Sequence, residues 1–157
     1  MVETEKDIQE RAEMLETTLW LSELSWKQIE VLARYFYVIR KEKGATVFRE
    51  GDCENYMCLI VQGKVQVVKK DMKQQEKVLS VIGKGKVFGE MMLFDGEPRS
   101  ATIISADRTV LLILSLENLE SLIRDVPGLA SKLLWKLCKM LSQRLRMTSG
   151  KLVDFID

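Results

Sequence analysis

The middle of the chain, between Ala45 and Ser115, alternates short apolar runs with turn residues. The runs ATVF, YMCLIV, KVQVV and KVLSVI each end at glycine or at charged turn residues, and SATIIS and TVLLIL follow them. Short segments rich in Val, Ile and Thr, separated by regular turn signals, are typical of antiparallel strands. Roughly seven or eight such strands predict a β-sandwich or barrel.

Helical patterns flank this region on both sides. Thr4 is a predicted N-cap for a first helix, and Ser25 with Gln28 forms a capping box for a second. After the strands, LENLESLI has helical periodicity until the Pro-Gly step at 127–128 interrupts it. A longer helix is predicted from about Leu129 to at least Met147. The predicted order is therefore two helices, the strands, and two helices.

The composition argues against an enzyme. The 157 residues carry a net charge of +1 and contain no histidine, which removes the commonest general base and the commonest transition-metal ligand. No nucleophile–base constellation or metal cluster stands out, so we predict no catalytic residue and no metal site. Three cysteines without metal-ligand spacing (Cys53, Cys58 and Cys138) are expected to be free thiols in a reducing cytoplasm. No apolar run is long enough to cross a bilayer, so no membrane partner is expected.

The segment VFGEMMLFDGEPRSATI, residues 87–103, places charged residues inside apolar sequence. Glycines such as Gly89 permit close approach of a backbone, and a helical turn near Glu90 would direct free N–H groups at an anion. Arg99 supplies a planar fork suited to phosphate, whereas the Glu90 carboxylate suits a hydroxyl group such as that of a sugar. These residues indicate a ribose phosphate site. A Glu90–Arg99 ion pair that only braces the loop explains the same residues, and both interpretations stay open at this point.

The same segment resembles the phosphate-binding cassette of cyclic nucleotide-binding domains. The resemblance covers about residues 19 to 152 and extends to catabolite activator-type regulators and to regulatory subunits of cyclic nucleotide-dependent kinases. The matching motifs are FGE at 88–90, Leu93, PRSAT at 98–102, VFREGD at 47–52 and CLIVQGKVQVV at 58–68. It implies an α+β fold: an antiparallel β jelly-roll barrel flanked by N-terminal helices and a long C-terminal helix that forms a dimer.

The resemblance also implies a ligand and its contacts. The ligand is a cyclic nucleotide, cAMP or cGMP, and no further cofactor is implied. Glu90 takes the ribose 2′-hydroxyl, Arg99 and loop N–H groups hold the cyclic phosphate, and Ser100 contacts the phosphate or the base. The loop residues assigned to the ligand are Gly89, Met91 and Met92.

Met92 departs from the family pattern, which has a small residue at this position. A side chain directed into the core leaves the Met92 N–H available to the phosphate, whereas a side chain directed into the pocket blocks the ligand. We expect the core-facing arrangement. The alternative function is an interaction or dimerisation protein that keeps the fold without the ligand.

The last helix carries a heptad seam. Leu134, Cys138, Leu141, Leu145, Thr148 and Leu152 are spaced 4, 3, 4, 3 and 4 residues apart. Such a seam can pack on the β domain, on a second copy of the chain, or on both. The resemblance favours a homodimer, and it assigns Thr148 and Ser149 to the nucleotide base. Gly150 costs a helix interior about 1 kcal/mol relative to alanine, and we expect it to fray the helix.

These observations predict three parts: an N-terminal helical extension (1–18), a cyclic nucleotide-binding β-roll (19–128) and a C-terminal helix (129–157). No recognition helix follows, so no specific DNA binding is expected of this chain alone, although its terminal helix is basic. The predicted function is a regulatory or sensor module for a cyclic nucleotide, and the sensor part of a transcriptional regulator is one form that such a module takes.

Overall fold

The computed structural model describes residues 4–154, with side chains through Leu152, and has an α+β architecture built on two antiparallel four-stranded sheets. The helices are α1 (Glu5–Thr17), α2 (Trp26–Ala33), α3 (Met91–Asp95), α4 (Leu116–Asp125) and α5 (Pro127–Asp154). The strands are β1 (Tyr37–Lys41), β2 (Thr46–Phe48), β3 (Tyr56–Gln62), β4 (Lys64–Lys70), β5 (Glu76–Gly83), β6 (Val87–Phe88), β7 (Thr102–Ser105) and β8 (Thr109–Ser115). The predicted fold class and element order are confirmed.

Both predicted N-caps form, the predicted capping box at Ser25 is confirmed, and Thr4 forms a capping box as well. The Thr4 side chain accepts a hydrogen bond from the Asp7 backbone N–H, and Ser25 does the same with Gln28. Each cap satisfies N–H groups that the first turn of a helix leaves without an intrahelical partner. The caps therefore fix where α1 and α2 begin, ahead of the first strand.

The two sheets face each other, with strand orders β1-β8-β3-β6 and β2-β7-β4-β5. Strand β3 is buried on both sides because its side chains alternate between two cores. Met57 and Leu59 belong to the core that the first sheet shares with the helices, whereas Cys58 and Ile60 belong to the core between the sheets. This double burial explains the uninterrupted apolar run YMCLIV.

The last helix differs in two details from the prediction. It begins at Pro127, two residues before the predicted start, because proline is well suited to the first position of a helix. The predicted fraying at Gly150 is wrong, since α5 continues through this glycine to Asp154. One glycine costs about 1 kcal/mol, which the surrounding helix formers outweigh.

The structure also describes the cysteines, the groups that could hold a metal ion, and the helices that could span a membrane. Cys53, Cys58 and Cys138 are free thiols, as expected, and burial raises the pKa of the Cys58 thiol far above its usual value. Within residues 4–154, no group of His, Cys, Asp or Glu side chains is arranged to hold a metal ion. None of the helices in this part of the chain has the length and apolarity to span a membrane.

Candidate functional site

The loop that follows β6 begins at a position that accommodates only glycine. Gly89 has a φ of 74°, a conformation that side chains disfavour, and an added Cβ would lie 2.8 Å from Nη1 of Arg99. Glu90 then precedes the short helix α3, which is followed by Gly96 in the left-handed conformation. The two glycines therefore bracket α3 and bring the backbone close to Arg99.

This loop forms one wall of a cavity of about 260 Å³. The other walls come from the second sheet and from α5, which contributes Arg144. Six of the predicted ligand residues line the cavity together: Gly89, Glu90, Met91, Met92, Arg99 and Ser100. Thr148 and Ser149 are exposed on α5 and are not part of the lining.

Arg99 is held by main-chain oxygens. Its Nη1 donates to the carbonyl of Gly89 at 2.8 Å, and its Nη2 donates to those of Glu54 at 3.1 Å and Tyr56 at 2.6 Å. In the described part of the chain, its buried Nε has no hydrogen-bond partner. Arg99 thus ties the loop to the start of β3 and keeps its Nε–H uncommitted.

Aromatic rings complete the surroundings of Arg99. The guanidinium carbon lies 4.0 Å from the ring centre of Phe48 and 4.7 Å from that of Tyr56, both within cation–π range. Burial lowers the pKa of Arg99 and raises that of Tyr56 to about 12, so the Tyr56 hydroxyl stays protonated near neutral pH. These two rings were not among the predicted site residues, since aromatic residues in strands usually belong to a core.

The carboxylate of Glu90 pairs with Arg144 rather than with Arg99. Arg144 donates from Nη1 to Glu90 and from Nη2 to the carbonyl of Val87. The Glu90 side chain is only 5% exposed, whereas that of Arg144 is 40% exposed. The bracing interpretation had the wrong partner: Glu90 does brace the loop, but it does so against α5.

Arg144 was not among the predicted site residues, although the sequence contains a signal for it. On α5, Arg144 follows Leu133, Leu137 and Met140 at helical spacing, and these residues pack in or against the helical core. A single arginine on the apolar face of a helix needs a buried acceptor.

Met92 is 5% exposed and also borders the cavity. Its carbonyl accepts hydrogen bonds from the Asn55 side chain at 2.9 Å and from the Gly96 N–H at 3.0 Å. The backbone at Met92 is therefore fixed from two directions. The availability of the Met92 N–H to the phosphate of a ligand stays a prediction.

The Glu90–Arg144 pair should contribute measurably to stability. We expect Arg144→Ala to lower the free energy of unfolding by about 2 kcal/mol, because it leaves a buried carboxylate without its partner. This loss is below that of a fully buried pair, since water reaches Arg144. In a double-mutant cycle with Glu90→Gln, urea denaturation should give a coupling energy of about 1 kcal/mol or more. Arg146→Ala, at an exposed position of the same helix, is the control, and equal losses for Arg144→Ala and Arg146→Ala would contradict the expectation.

The cavity thus combines features suited to a small anionic ligand with hydroxyl groups. A buried carboxylate can accept from a hydroxyl, and an arginine with a spare donor can bind an anion. Among the described residues, the lining contains no histidine and no cysteine.

Comparisons with known proteins agree with this geometry. The family model described as "Cyclic nucleotide-binding domain" matches residues 38–126. The chain is 32% identical over 123 residues to the cyclic AMP receptor protein of Thermus thermophilus, and these cover 78% of this chain and 55% of that protein. It is 33% identical over 130 residues to a CRP-like cAMP-activated global transcriptional regulator of Mycobacterium tuberculosis, with 82% and 55% covered. The chain therefore spans about half the length of these curated relatives.

Solved structures show the same likeness. A cyclic nucleotide-binding domain from Methylobacillus flagellatus superposes with a TM-score of 0.80 at 27% identity, covering 95% of this chain and 84% of that one. The catabolite activator protein of Thermus thermophilus gives a TM-score of 0.74 at 31% identity, covering 85% and 61%. The matched residues include the loop between β6 and β7 and the strands that support it. The chain belongs to the cyclic nucleotide-binding domain family.

Proposed function

We propose that the chain is a sensor module that binds a cyclic mononucleotide, cAMP or cGMP, in the cavity beside Glu90 and Arg99. The observation that carries the proposal is the convergence of a buried carboxylate and a buried arginine on one cavity bounded by a glycine-bracketed loop. The relatives named above are described as a cyclic AMP receptor and a cAMP-activated regulator, which favours cAMP.

The proposal assigns each part of the ligand to a group with suitable chemistry. The uncommitted Nε of Arg99 is a donor for the cyclic phosphate, together with N–H groups of the loop. The Glu90 carboxylate accepts from the ribose 2′-hydroxyl. Because Arg144 already bonds to Glu90, the incoming hydroxyl must share this carboxylate with Arg144 or displace it.

A titration tests the proposal directly. We expect cAMP or cGMP, added at about a hundred times its dissociation constant, to stabilise the fold by about 2.7 kcal/mol, seen as a higher melting temperature. Linear AMP is the control, since its doubly charged phosphate and free 3′-hydroxyl do not match the cyclic ester. Absence of a shift with millimolar cAMP and cGMP would contradict nucleotide binding.

Such a negative result would favour the second candidate, an interaction protein that keeps the fold without the ligand. Two observations favour that candidate: the long Met92 side chain borders the cavity, and Glu90 already has a partner. Isothermal titration with the same nucleotides would distinguish the two candidates, because an interaction protein gives no heat of binding.

We also propose that α5 forms a homodimer. Leu134 packs against the helical core of its own chain, but Leu145 and Leu152 are 68% and 61% exposed, and Thr148 between them is exposed as well. An exposed leucine seam at heptad spacing favours a second helix as its partner. Pairing there would bring Thr148 and Ser149 of two chains together above the cavities, where a nucleotide base could meet them.

The wider role is part of the same proposal. The module would be regulatory rather than enzymatic and would act in the cytoplasm, with residues 1–18, 19–128 and 129–157 as its three parts. Its relatives include transcriptional regulators, which supports a role as the sensor part of such a protein. We expect these residues alone to bind DNA only weakly, in a salt-sensitive manner, through the basic side chains of α5.

A further inference from the structure

The cavity beside Arg99 carries more negative than positive charge. Among the described residues, its lining contains three carboxylates and two guanidinium groups: Glu90, Asp95, Glu97, Arg99 and Arg144. The formal net charge of the lining is therefore −1. An excess of acid is unexpected at a site for a phosphate, because like charges in one cavity lower the affinity.

One of the three carboxylates is already neutralised. Glu90 pairs with Arg144 of α5, so these two charges largely cancel. Arg99 is then the cation that remains for a phosphate. It is 5% exposed, and its Nη1 and Nη2 donate to main-chain carbonyls, whereas its buried Nε–H has no partner in the described part of the chain. A bound phosphate thus meets one uncompensated positive charge.

The other two carboxylates lie in the turn that leads from α3 to Arg99. Asp95 is the last residue of α3, and its Oδ1 accepts a hydrogen bond from the Glu97 N–H at 2.9 Å, which fixes the turn. Both residues are exposed, and within residues 4–154 neither forms an ion pair. Only Pro98 separates Glu97 from Arg99. We refer to Asp95 and Glu97 as the acidic turn.

We propose that the acidic turn selects the ligand of this cavity by charge, favouring a cyclic phosphodiester over a phosphate monoester. The proposal rests on the proposed function, since it concerns the same cavity. A phosphodiester carries one negative charge, which Arg99 balances. A monoester carries about 1.5 to 2 negative charges at pH 7, and the excess meets the two carboxylates of the acidic turn. Asp95 and Glu97 are therefore specificity residues rather than residues that hold the ligand.

The size of the cavity makes such an effect measurable. Side chains around a volume of about 260 Å³ lie within roughly one Debye length of a bound phosphate, about 10 Å at 0.1 M salt. Salt therefore weakens the repulsion without abolishing it. We expect the extra charge of a monoester to lower its affinity by about fivefold at low salt, and this difference to shrink as the salt concentration rises.

The experiment compares three adenine nucleotides by isothermal titration with the full chain. They are cAMP, linear AMP, and the methyl ester of AMP, which is linear but carries a single charge. Binding of cAMP tests the proposed function. The ratio of the affinities for the methyl ester and for AMP tests the acidic turn, because both ligands lack the cyclic ester and differ in charge. At low salt the methyl ester should bind about fivefold more tightly than AMP.

Two variants change the charge of the acidic turn. Asp95→Asn/Glu97→Gln should narrow the affinity ratio from about fivefold to about twofold or less. Asparagine keeps an oxygen that can accept from the N–H of residue 97, so the shape of the turn is retained. Glu97→Lys should go further and let AMP bind at least as tightly as its methyl ester. Both positions are exposed, so the variants should fold.

The matched control is Glu13→Gln/Glu16→Gln. It removes two exposed carboxylates from α1, outside the cavity lining, and should leave the affinity ratio unchanged. An unchanged ratio in Asp95→Asn/Glu97→Gln, or equal narrowing in the control, would overturn the inference while leaving nucleotide binding intact.

Three further outcomes are equally decisive. A wild-type ratio that does not respond to salt would show that the cavity distinguishes the ligands by shape. Tighter binding of AMP with Mg²⁺, lost in Asp95→Asn/Glu97→Gln, would assign the acidic turn to a metal ion instead. A wild-type chain that binds none of the three nucleotides would refute the proposed function, and this inference with it.

Discussion

Arg99→Ala should lower the free energy of unfolding by about 3–5 kcal/mol before any nucleotide is added. The guanidinium is buried, bonds to three main-chain carbonyls and lies against Phe48 and Tyr56. Alanine leaves these carbonyls without their donor, opens a cavity and removes both cation–π contacts. Denaturation in urea without ligand measures the change.

The control for this prediction is an arginine on the surface. Arg108 pairs with Glu42 at 3.3 Å, but its side chain is 75% exposed, and Arg108→Ala should cost less than about 1 kcal/mol. Arg99→Lys should be intermediate, since an ammonium cannot reach the same three carbonyls with one planar fork. Similar small losses for Arg99→Ala and Arg108→Ala would show that the contacts of Arg99 do not stabilise the fold.

This expectation changes how a loss of nucleotide binding by Arg99 variants must be interpreted. Alanine at this position removes a phosphate donor and a support of the loop together. Affinity should therefore be measured where the variant is still folded, at a temperature chosen from its own melting curve. A folded Arg99→Lys variant that binds nucleotide poorly would assign Arg99 to the ligand as well as to the loop.

Leu145→Lys should convert the proposed dimer into a monomer, raising the dimer dissociation constant by about a hundredfold or more. The variant places one charge from each chain in the same apolar seam, where neither charge has a partner. Leu145 makes a sharper test than residues nearer the core, because it is 68% exposed and its replacement should leave the protomer folded. Sedimentation at several protein concentrations measures the change.

Met147→Lys is the matched control. Met147 is 63% exposed and lies two residues further along α5, on a different face from the seam. It should leave the dimer intact. A wild-type chain that is monomeric at every concentration would refute the proposed dimer and reduce the seam to an exposed stripe.

A native cysteine offers a second assay of the same dimer. Cys138 lies on the seam and is exposed, so a parallel, in-register pair of helices would bring two copies within disulfide distance. Mild oxidation should then produce a cross-linked dimer that Cys138→Ser abolishes. A cross-link that persists in Cys138→Ser would come from exposed Cys53 instead.

The fold was predictable from the sequence because local signals and the global architecture agree. Turn glycines, capping boxes and the change from strand to helix periodicity each specify one boundary. The loop residues 89–100 were also predictable, since a glycine–glutamate pair and a proline–arginine pair are unusual in apolar surroundings. These signals lie within a few residues of one another.

The partners of the charged side chains were not predictable in the same way. Arg99 bonds to carbonyls 43 and 45 residues earlier, and Arg144 reaches a carboxylate 54 residues earlier. Contacts of this range depend on how the strands stack, and every residue supplies a carbonyl. The sequence marks the charge, but the three-dimensional packing decides its partner.

The ion pair at Arg144 also gives α5 a mechanical character. The helix is supported as far as Leu137, which is fully buried, and again at Arg144, and it continues as an overhang to Asp154. At about 1.5 Å per residue, the supports are roughly 10 Å apart and the overhang is roughly 15 Å long. If Leu137 acts as the fulcrum of a rigid beam, a displacement of about 1 Å at Arg144 becomes about 2.4 Å at Asp154. The side chain that meets the cavity is therefore placed where a small movement is more than doubled along the helix.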